Sequence, residues 1–258
     1  MLILGGALAG LLVGSFLNVV ILRVPAKESI VTPPSHCRTC DAPVRPRDNL
    51  PVVSWLLLRG RARCCGEPIP ARYPLVELLT AGAFAGVAAW LGPSWELPAF
   101  LYLASISITL AIIDLDTFLL PARIVTPSYA VTAALLGLAA VGAPEPLDAA
   151  LRAVVGGLAL WLLYFSLRLI HPRGMGYGDV RLSGLLGLAL AWQGWDCLAV
   201  GAFTAFVLGG LGGAVVLLLG KGNLKTEIPY GPYMIVGTWV GLVAGGPIGD
   251  WYLGLSGV

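Results

Sequence analysis

The chain is a succession of apolar runs about as long as a bilayer is thick, and that leaves it little choice of fold. A helix needs ~20 residues to cross the hydrocarbon core. Runs at 2–22, 75–92, 98–113, 124–142, 151–170, 181–197, 199–219 and 232–249 reach or approach that length. Of the 258 residues, 57% are hydrophobic and only 12% charged, whereas a soluble domain carries roughly a quarter charged. The expected fold is all-α, a polytopic membrane protein of about eight transmembrane helices with one small cysteine-rich loop module. Residues 1–23 form the first span, 24–74 the module and 75–258 a membrane core. The third run is short, and the sixth carries Gln193, Trp195 and Asp196 near its far end.

Charge distribution sets the expected topology. With the first span running outside to inside, the inner segments collect Arg23, Lys27, Arg38, Arg45, Arg47, Arg59, Arg61, Arg63, Arg72, Arg123, Arg168, Arg173, Arg181, Lys221 and Lys225. Only Arg152, of the sixteen basic residues, falls outside. So lopsided a distribution places both termini outside and the 24–74 module in the cytoplasm. The N-terminal run has no basic residue ahead of it and its positive charges follow, so it reads as a retained anchor and not a cleaved leader. The net charge of +2 is too small to suggest a nucleic-acid partner; the bilayer is the expected one. Glycine is abundant, at 34 residues including the GGLGG of Gly209–Gly213, and small residues let helices approach closely in lipid. Asn49–Leu58 is too short to span and is expected either along the interface or closing the module's core.

In the module, Cys37 and Cys40 form a CxxC, and Cys64 and Cys65 follow after 23 intervening residues. A reducing compartment favours metal over disulfides, and four thiolates suit tetrahedral zinc. A loop of about fifty residues has little core, so the metal would supply folding free energy. Adjacent cysteines are expected to point apart, which leaves a site held by Cys37, Cys40, one later cysteine and a fourth group such as His36. Cys65 is the later cysteine expected to matter more.

Chemistry is expected where carboxylates meet hydrocarbon. Leu110–Leu120 reads LAIIDLDTFLL and Met175–Leu182 reads MGYGDVRL. An acid inside an apolar span is costly and is a functional candidate by default. Asp114 follows the run SISITLAII, while Asp116 lies about 200° around a helix from it, towards a solvated loop. Asp114 and Asp179 therefore form the candidate dyad. Two such carboxylates brought together share a proton near neutral pH, one serving as base and the other as acid. Gly176 and Gly178 allow positive φ and leave backbone uncovered before the helix, to which an extended substrate could pair.

These motifs resemble a known family. GSFLNVVILRVP at 14–25, the cysteine loop, RYPLVELLT at 72–80, IDLDTFLLP at 113–121, GMGYGDVRL at 174–182 and IPYGPY at 228–233 occur in the order found in type IV prepilin peptidases. The resemblance implies a bifunctional enzyme of the bacterial inner membrane. It would cleave the basic leader of prepilins or pseudopilins after a glycine, on the cytoplasmic side, with Asp114 and Asp179 as the catalytic pair. It would then N-methylate the new N-terminus with S-adenosylmethionine. The family's cysteine tetrad falls on Cys37, Cys40 and Cys65, with Ala62 at the third position and Cys64 as a substitute. Ala122 stands where the family usually has an acid. Glu77 is a charged group near the right face for the methyl donor, or an interfacial acid paired with Arg72. Glu28, Asp48 and Glu227 are the exposed acids that could steer a basic leader.

Two rival readings have distinct expectations. A thiol oxidoreductase would carry its cysteines on the oxidising side, opposite to the side the charges assign. A transporter would place intramembrane acids near the midplane, whereas Asp114 and Asp179 both fall at one face.

Overall fold

The computed structural model describes residues 1–172, 174–219 and 228–256. Arg173, Lys221, Lys225 and Glu227, which entered the topology and leader-steering expectations, lie outside the described residues. Among the described residues the chain is helical, with nine α-helices and two 3-10 turns. They are α1 (Leu2–Arg23), α2 (Val53–Leu57), α3 (Arg72–Leu91), α4 (Leu97–Thr117), α5 (Ala122–Ala139), α6 (Pro146–Ile170), α7 (Tyr177–Gln193), α8 (Trp195–Leu218) and α9 (Gly231–Ser256). The eight long ones fall on the eight apolar runs. Six of them, α1, α3, α4, α5, α6 and α8, are long and apolar enough to cross a membrane. The 17-residue α7 and the Pro247-containing α9 are not among those six.

Two compact units divide within α4, Met1–Thr109 and Leu110–Val258. In the first, α1 and α3 pack antiparallel along a glycine stripe. A Cβ on Gly10 would lie 2.7 Å from the Ala81 Cα, one on Gly14 2.7 Å from the Glu77 Cα, and one on Gly6 3.1 Å from the Phe84 carbonyl. This is the small-xxx-small contact that lets lipid-embedded backbones touch, where burial of apolar side chains from water supplies no drive. The other face of α1 carries exposed Leu8, Leu12 and Phe16, as a lipid-facing surface should.

The cysteine module belongs to the same unit. Nη1 of Arg23, at the end of α1, donates to the Ser29 and Pro33 carbonyls. Trp55 Nε1 donates to the Ile69 carbonyl at 3.0 Å, and Gly60, at φ +68°, lies under the Trp55 ring. Within Asn49–Leu58, α2 helps close the module's core: Ser54 and Trp55 turn inward, while Val53, Leu56 and Leu57 are exposed.

In the second unit the glycine device recurs twice. Gly156 and Gly157 of α6 sit against Gly184, Gly187 and Ala191 of α7, and Gly237, Gly241 and Gly245 of α9 sit against Cys197, Gly201 and Ala205 of α8. Arg152 of α6 closes the far end of α7, donating through Nε to the Ala191 carbonyl and through Nη2 to the Trp192 carbonyl, while Nη1 pairs with Asp148 at 2.8 Å. The last carbonyls of a helix have no partner within it, and a cation suits that end of the dipole. The exception to the charge distribution is thus a capping residue.

Candidate active site and cysteine cluster

Asp114 lies one turn before the end of α4 and Asp179 in the first turn of α7. Both are buried, at 4% and 9% exposure, while Asp116 is exposed. The helical period separates the two acids of IDLD as expected: Asp114 is buried and Asp116 is exposed.

Each carboxylate accepts a backbone N–H at a helix start. Asp114 Oδ2 accepts from Gly231, the first residue of α9, at 2.9 Å. Asp179 Oδ2 accepts from Gly176, the residue preceding α7, at 2.9 Å. The latter is the reciprocal half of a capping box, an acid at the third helical position reaching back to the cap. The positive end of a helix dipole stabilises negative charge at both places. The two carboxylates are close enough for Asp114 to act on the charge of Asp179.

A single side chain fixes the three segments. After α4 the chain turns sharply at Phe118, whose φ of +55° is a left-handed exit made without glycine. Leu120 then wedges between the starts of two helices. A Cβ on Gly178 would stand 2.8 Å from the Leu120 Cβ, and one on Gly231 would stand 3.3 Å from its Cδ2 and 2.7 Å from Asp114 Oδ2. Here the structure corrects the expectation for Gly176 and Gly178. Neither has positive φ: Gly176 is extended, at φ −67°, and Gly178 is inside α7. The glycines provide room, Gly178 for Leu120 and Gly176 for the Asp179 carboxylate, whose Oδ2 would be 2.9 Å from a Cβ. The start of the sixth apolar run moves accordingly, since α7 begins at Tyr177 and includes Asp179.

Beside the dyad is an aromatic cluster that sequence reasoning left without a role. Tyr164 of α6, Phe206 of α8 and Tyr230 and Tyr233 at the start of α9 have ring centroids 5.4–6.4 Å apart. The GGLGG glycines make space for two of these rings: Gly209 faces the Tyr230 ring and Gly212 the Tyr233 ring. The signal for this cluster was IPYGPY, which marks a proline-punctuated entry to a helix but not what lies opposite.

In the first unit the four module cysteines converge, their Sγ atoms all within 4.8 Å of one another. Cys37–Cys65 is 3.7 Å, Cys40–Cys64 3.3 Å and Cys64–Cys65 3.9 Å. Sulfurs around a tetrahedral zinc at ~2.3 Å stand ~3.8 Å apart, so the cluster fits such an ion. Adjacent Cys64 and Cys65 were expected to point apart, and they do not. The chain there is a turn, with Gly66 N–H donating to the Ala62 carbonyl, and neighbouring side chains on such a turn diverge by ~100° instead of the near 180° of a strand.

The two halves of the cluster are built alike. Cys37 N–H donates to Ala42 and Asp41 N–H to Cys37; Ala62 N–H donates to Glu67 and Gly66 N–H to Ala62. Bridges His36–Pro43 and Arg61–Pro68 close the two turns, and Asp41 and Gly66 both have positive φ. Ala62 therefore occupies the place of Cys37, and Cys64 supplies the fourth sulfur from two residues on. His36 is not that fourth group: its Nδ1 is 3.0 Å from the Pro34 carbonyl and its Nε2 4.0 Å from Asp41. Backbone N–H groups of Thr39 and Cys40 bring the Cys37 thiol down to about 6, while hydrogen bonding to Cys40 and burial push Cys64 up to about 12. Cys65 is also raised. The lowered Cys37 thiol more readily supplies a thiolate, the form that binds metal. Arg63 clamps Asp48 through both carboxylate oxygens at 3.0 Å and holds its carboxyl below the usual range. Asp48 is thus engaged within the module.

Glu77 is buried, and its Oε2 accepts the Val52 N–H at 2.7 Å, with Ser15 as a second partner. The acid ties the module to α3. Cys197 is buried in α8 against α9, a packing position.

Residues 8–91 match the family model of the bacterial peptidase A24 N-terminal domain, and residues 101–218 that of the type IV leader peptidase family. Three relatives named prepilin leader peptidase/N-methyltransferase are similar along nearly their whole length. The one from Aeromonas hydrophila is 38% identical, covering 95% of this chain and 92% of its own. That from Stutzerimonas stutzeri is 38% identical over 95% and 91%, and that from Pseudomonas aeruginosa 37% identical over 97% and 93%. No solved structure matches.

Proposed function

The chain belongs to the type IV leader peptidase family, and from that premise we propose that Asp114 and Asp179 are the dyad with which it cleaves prepilin or pseudopilin leaders. The observation that carries the reading is the pairing itself. Two buried carboxylates, 65 residues apart in sequence, come within electrostatic reach, each oriented by one backbone N–H from a glycine. Two acids so placed share one proton, and their titration belongs to the pair. The unprotonated carboxylate takes a proton from a water that attacks the scissile carbonyl carbon. The protonated one gives its proton to the carbonyl oxygen. Collapse of the resulting diol breaks the C–N bond, and the amine leaves with a proton from the dyad. Met175 and Gly176 precede α7 beside Asp179, and their backbone is the proposed rest for an extended substrate, together with Gly178.

The apolar helices make the protein a multi-pass membrane protein, and the basic inner segments support a bacterial inner-membrane orientation with the dyad and the cysteine module cytoplasmic. Cys37, Cys40, Cys64 and Cys65 would hold a structural zinc, which supplies folding free energy to a module with little core. S-adenosylmethionine is the methyl donor that the relatives' second activity calls for, with the new N-terminus as acceptor. The transporter reading has no support from the relatives. Incubating the detergent-solubilised protein with a prepilin and S-adenosylmethionine, then weighing the product, tests both activities. Loss of the leader plus one methyl group is the expected result. An intact substrate would contradict the reading, and cleavage without methylation would remove its second half.

A further inference from the structure

Tyr230 has one buried atom without a hydrogen-bond partner among the described residues. Its ring is held on three sides, by Tyr164 at 6.2 Å, Phe206 at 6.4 Å and Tyr233 at 6.3 Å, and its edge lies against Gly209. The hydroxyl so positioned is buried and has no hydrogen-bond partner among the described residues. The Tyr164 hydroxyl is a polar neighbour, but the pair does not meet hydrogen-bond geometry. A buried phenol without a partner is destabilising where a phenylalanine would not be. Clamping such a group in one place serves no packing purpose.

Its place in the chain says what it serves. Tyr230 immediately precedes Gly231, whose N–H holds Asp114, and its hydroxyl end is within electrostatic reach of Asp179. The residue therefore runs from one carboxylate towards the other. Resting on the peptidase reading above, we propose that Tyr230 is a further catalytic residue, whose hydroxyl donates a second hydrogen bond to the scissile carbonyl oxygen and to the partial negative charge it carries while the dyad's proton is being transferred to it. A donor fixed before the reaction and aimed at developing charge needs no reorganisation when that charge appears. The step adds no reactant: the phenol keeps its proton, and the dyad carries out the proton transfers. The interaction strengthens as the carbonyl becomes tetrahedral, so it acts on turnover more than on binding.

The test compares Tyr230→Phe with Tyr233→Phe, using full-length protein in detergent and a prepilin substrate, with Asp179→Asn as the dead control. Tyr230→Phe keeps the ring and its contacts, so its melting temperature should equal or exceed that of the unaltered protein. Its kcat should fall on the order of 100-fold, the usual loss for one oxyanion donor, with KM within about threefold. Tyr233→Phe removes a hydroxyl from the same cluster and should cleave within about threefold of the unaltered protein. Cleavage by Tyr230→Phe at the unaltered rate, a loss confined to KM, or an equal loss in Tyr233→Phe would overturn the assignment. A cleaving Asp179→Asn would instead overturn the dyad on which it rests.

Discussion

Replacing Gly231 with alanine separates the geometry of the dyad from the stability of the fold. The added Cβ would stand 2.7 Å from Asp114 Oδ2, well inside van der Waals contact, so one of the two must move. The carboxylate is the end of a side chain with two torsions and gives way more cheaply than backbone. As it turns, its 2.9 Å bond from Gly231 N–H is lost or lengthened. A hydrogen bond to a buried charged group is worth about 1.5–3 kcal/mol. If that is lost from the transition state, kcat/KM falls roughly 10- to 150-fold at 1.36 kcal/mol per decade. The melting temperature should change little, because only the ends of side chains are displaced, the carboxylate and, by a few tenths of an ångström, Leu120 Cδ2 at 3.3 Å. Gly241→Ala is the opposite case. Its Cβ would stand 2.5 Å from the Cys197 carbonyl and 2.6 Å from the Gly201 Cα, backbone atoms that cannot turn aside, so α8 and α9 must separate and the protein melts early. Gly210→Ala meets nothing within 4 Å and should match the unaltered protein in both respects. The assay is leader cleavage against prepilin, read beside a thermal melt in the same detergent. A Gly231→Ala protein that cleaves within threefold of the unaltered rate would refute the reasoning that this N–H holds the dyad in register.

Other substitutions probe the remaining parts. Arg152→Ala uncaps α7 at Ala191 and Trp192 and should cost about 1–3 kcal/mol of stability, seen as a lower melting temperature with cleavage retained below it; an unchanged melt contradicts the capping role. Each of Cys37→Ser, Cys40→Ser, Cys64→Ser and Cys65→Ser should lower bound zinc, measured by elemental analysis, with Cys64→Ser as severe as Cys65→Ser because both sulfurs are in the cluster; full zinc in Cys64→Ser would leave that residue outside the site. With Asp48 held by Arg63, Glu28 is the exposed acid that remains for steering a basic leader among the described residues considered for it. Glu28→Lys should raise KM at low salt with kcat unchanged, and the effect should shrink as the Debye length falls below about 8 Å; an unaltered KM at low salt rules Glu28 out.

How far the chain could be read depended on the range of the interaction. Span positions were legible because ~20-residue apolar runs need no partner to declare themselves, and the eight long helices fall on them with ends displaced by no more than seven residues. The distinction between Asp114 and Asp116 was legible for a similar reason, since a 100° step per residue is local geometry. The roles of Gly176 and Gly178 were not. Glycine offers both conformational freedom and room, and only the placement of Leu120 against Gly178 and of the Asp179 carboxylate against Gly176 shows that room is what is used. Cys64 was misjudged because adjacent side chains diverge by different angles in a strand and in a turn. The hydrogen bond from Gly231 to Asp114 joins residues 117 apart, and no spacing rule reaches that distance. The same limit hid Tyr230, whose significance comes from a ring of neighbours on α6, α8 and α9.

The most direct test of the central claim is leader cleavage by Asp114→Asn, Asp179→Asn and Asp116→Asn, each purified, shown to melt like the unaltered protein, and assayed on one prepilin. A carboxamide cannot exchange the proton that the dyad passes between water and the scissile carbonyl. The account predicts no detectable cleavage by the first two, acting as a unit, and near-normal cleavage by the third, whose acid is exposed. Cleavage by Asp114→Asn or Asp179→Asn, or its loss in Asp116→Asn alone, would contradict it.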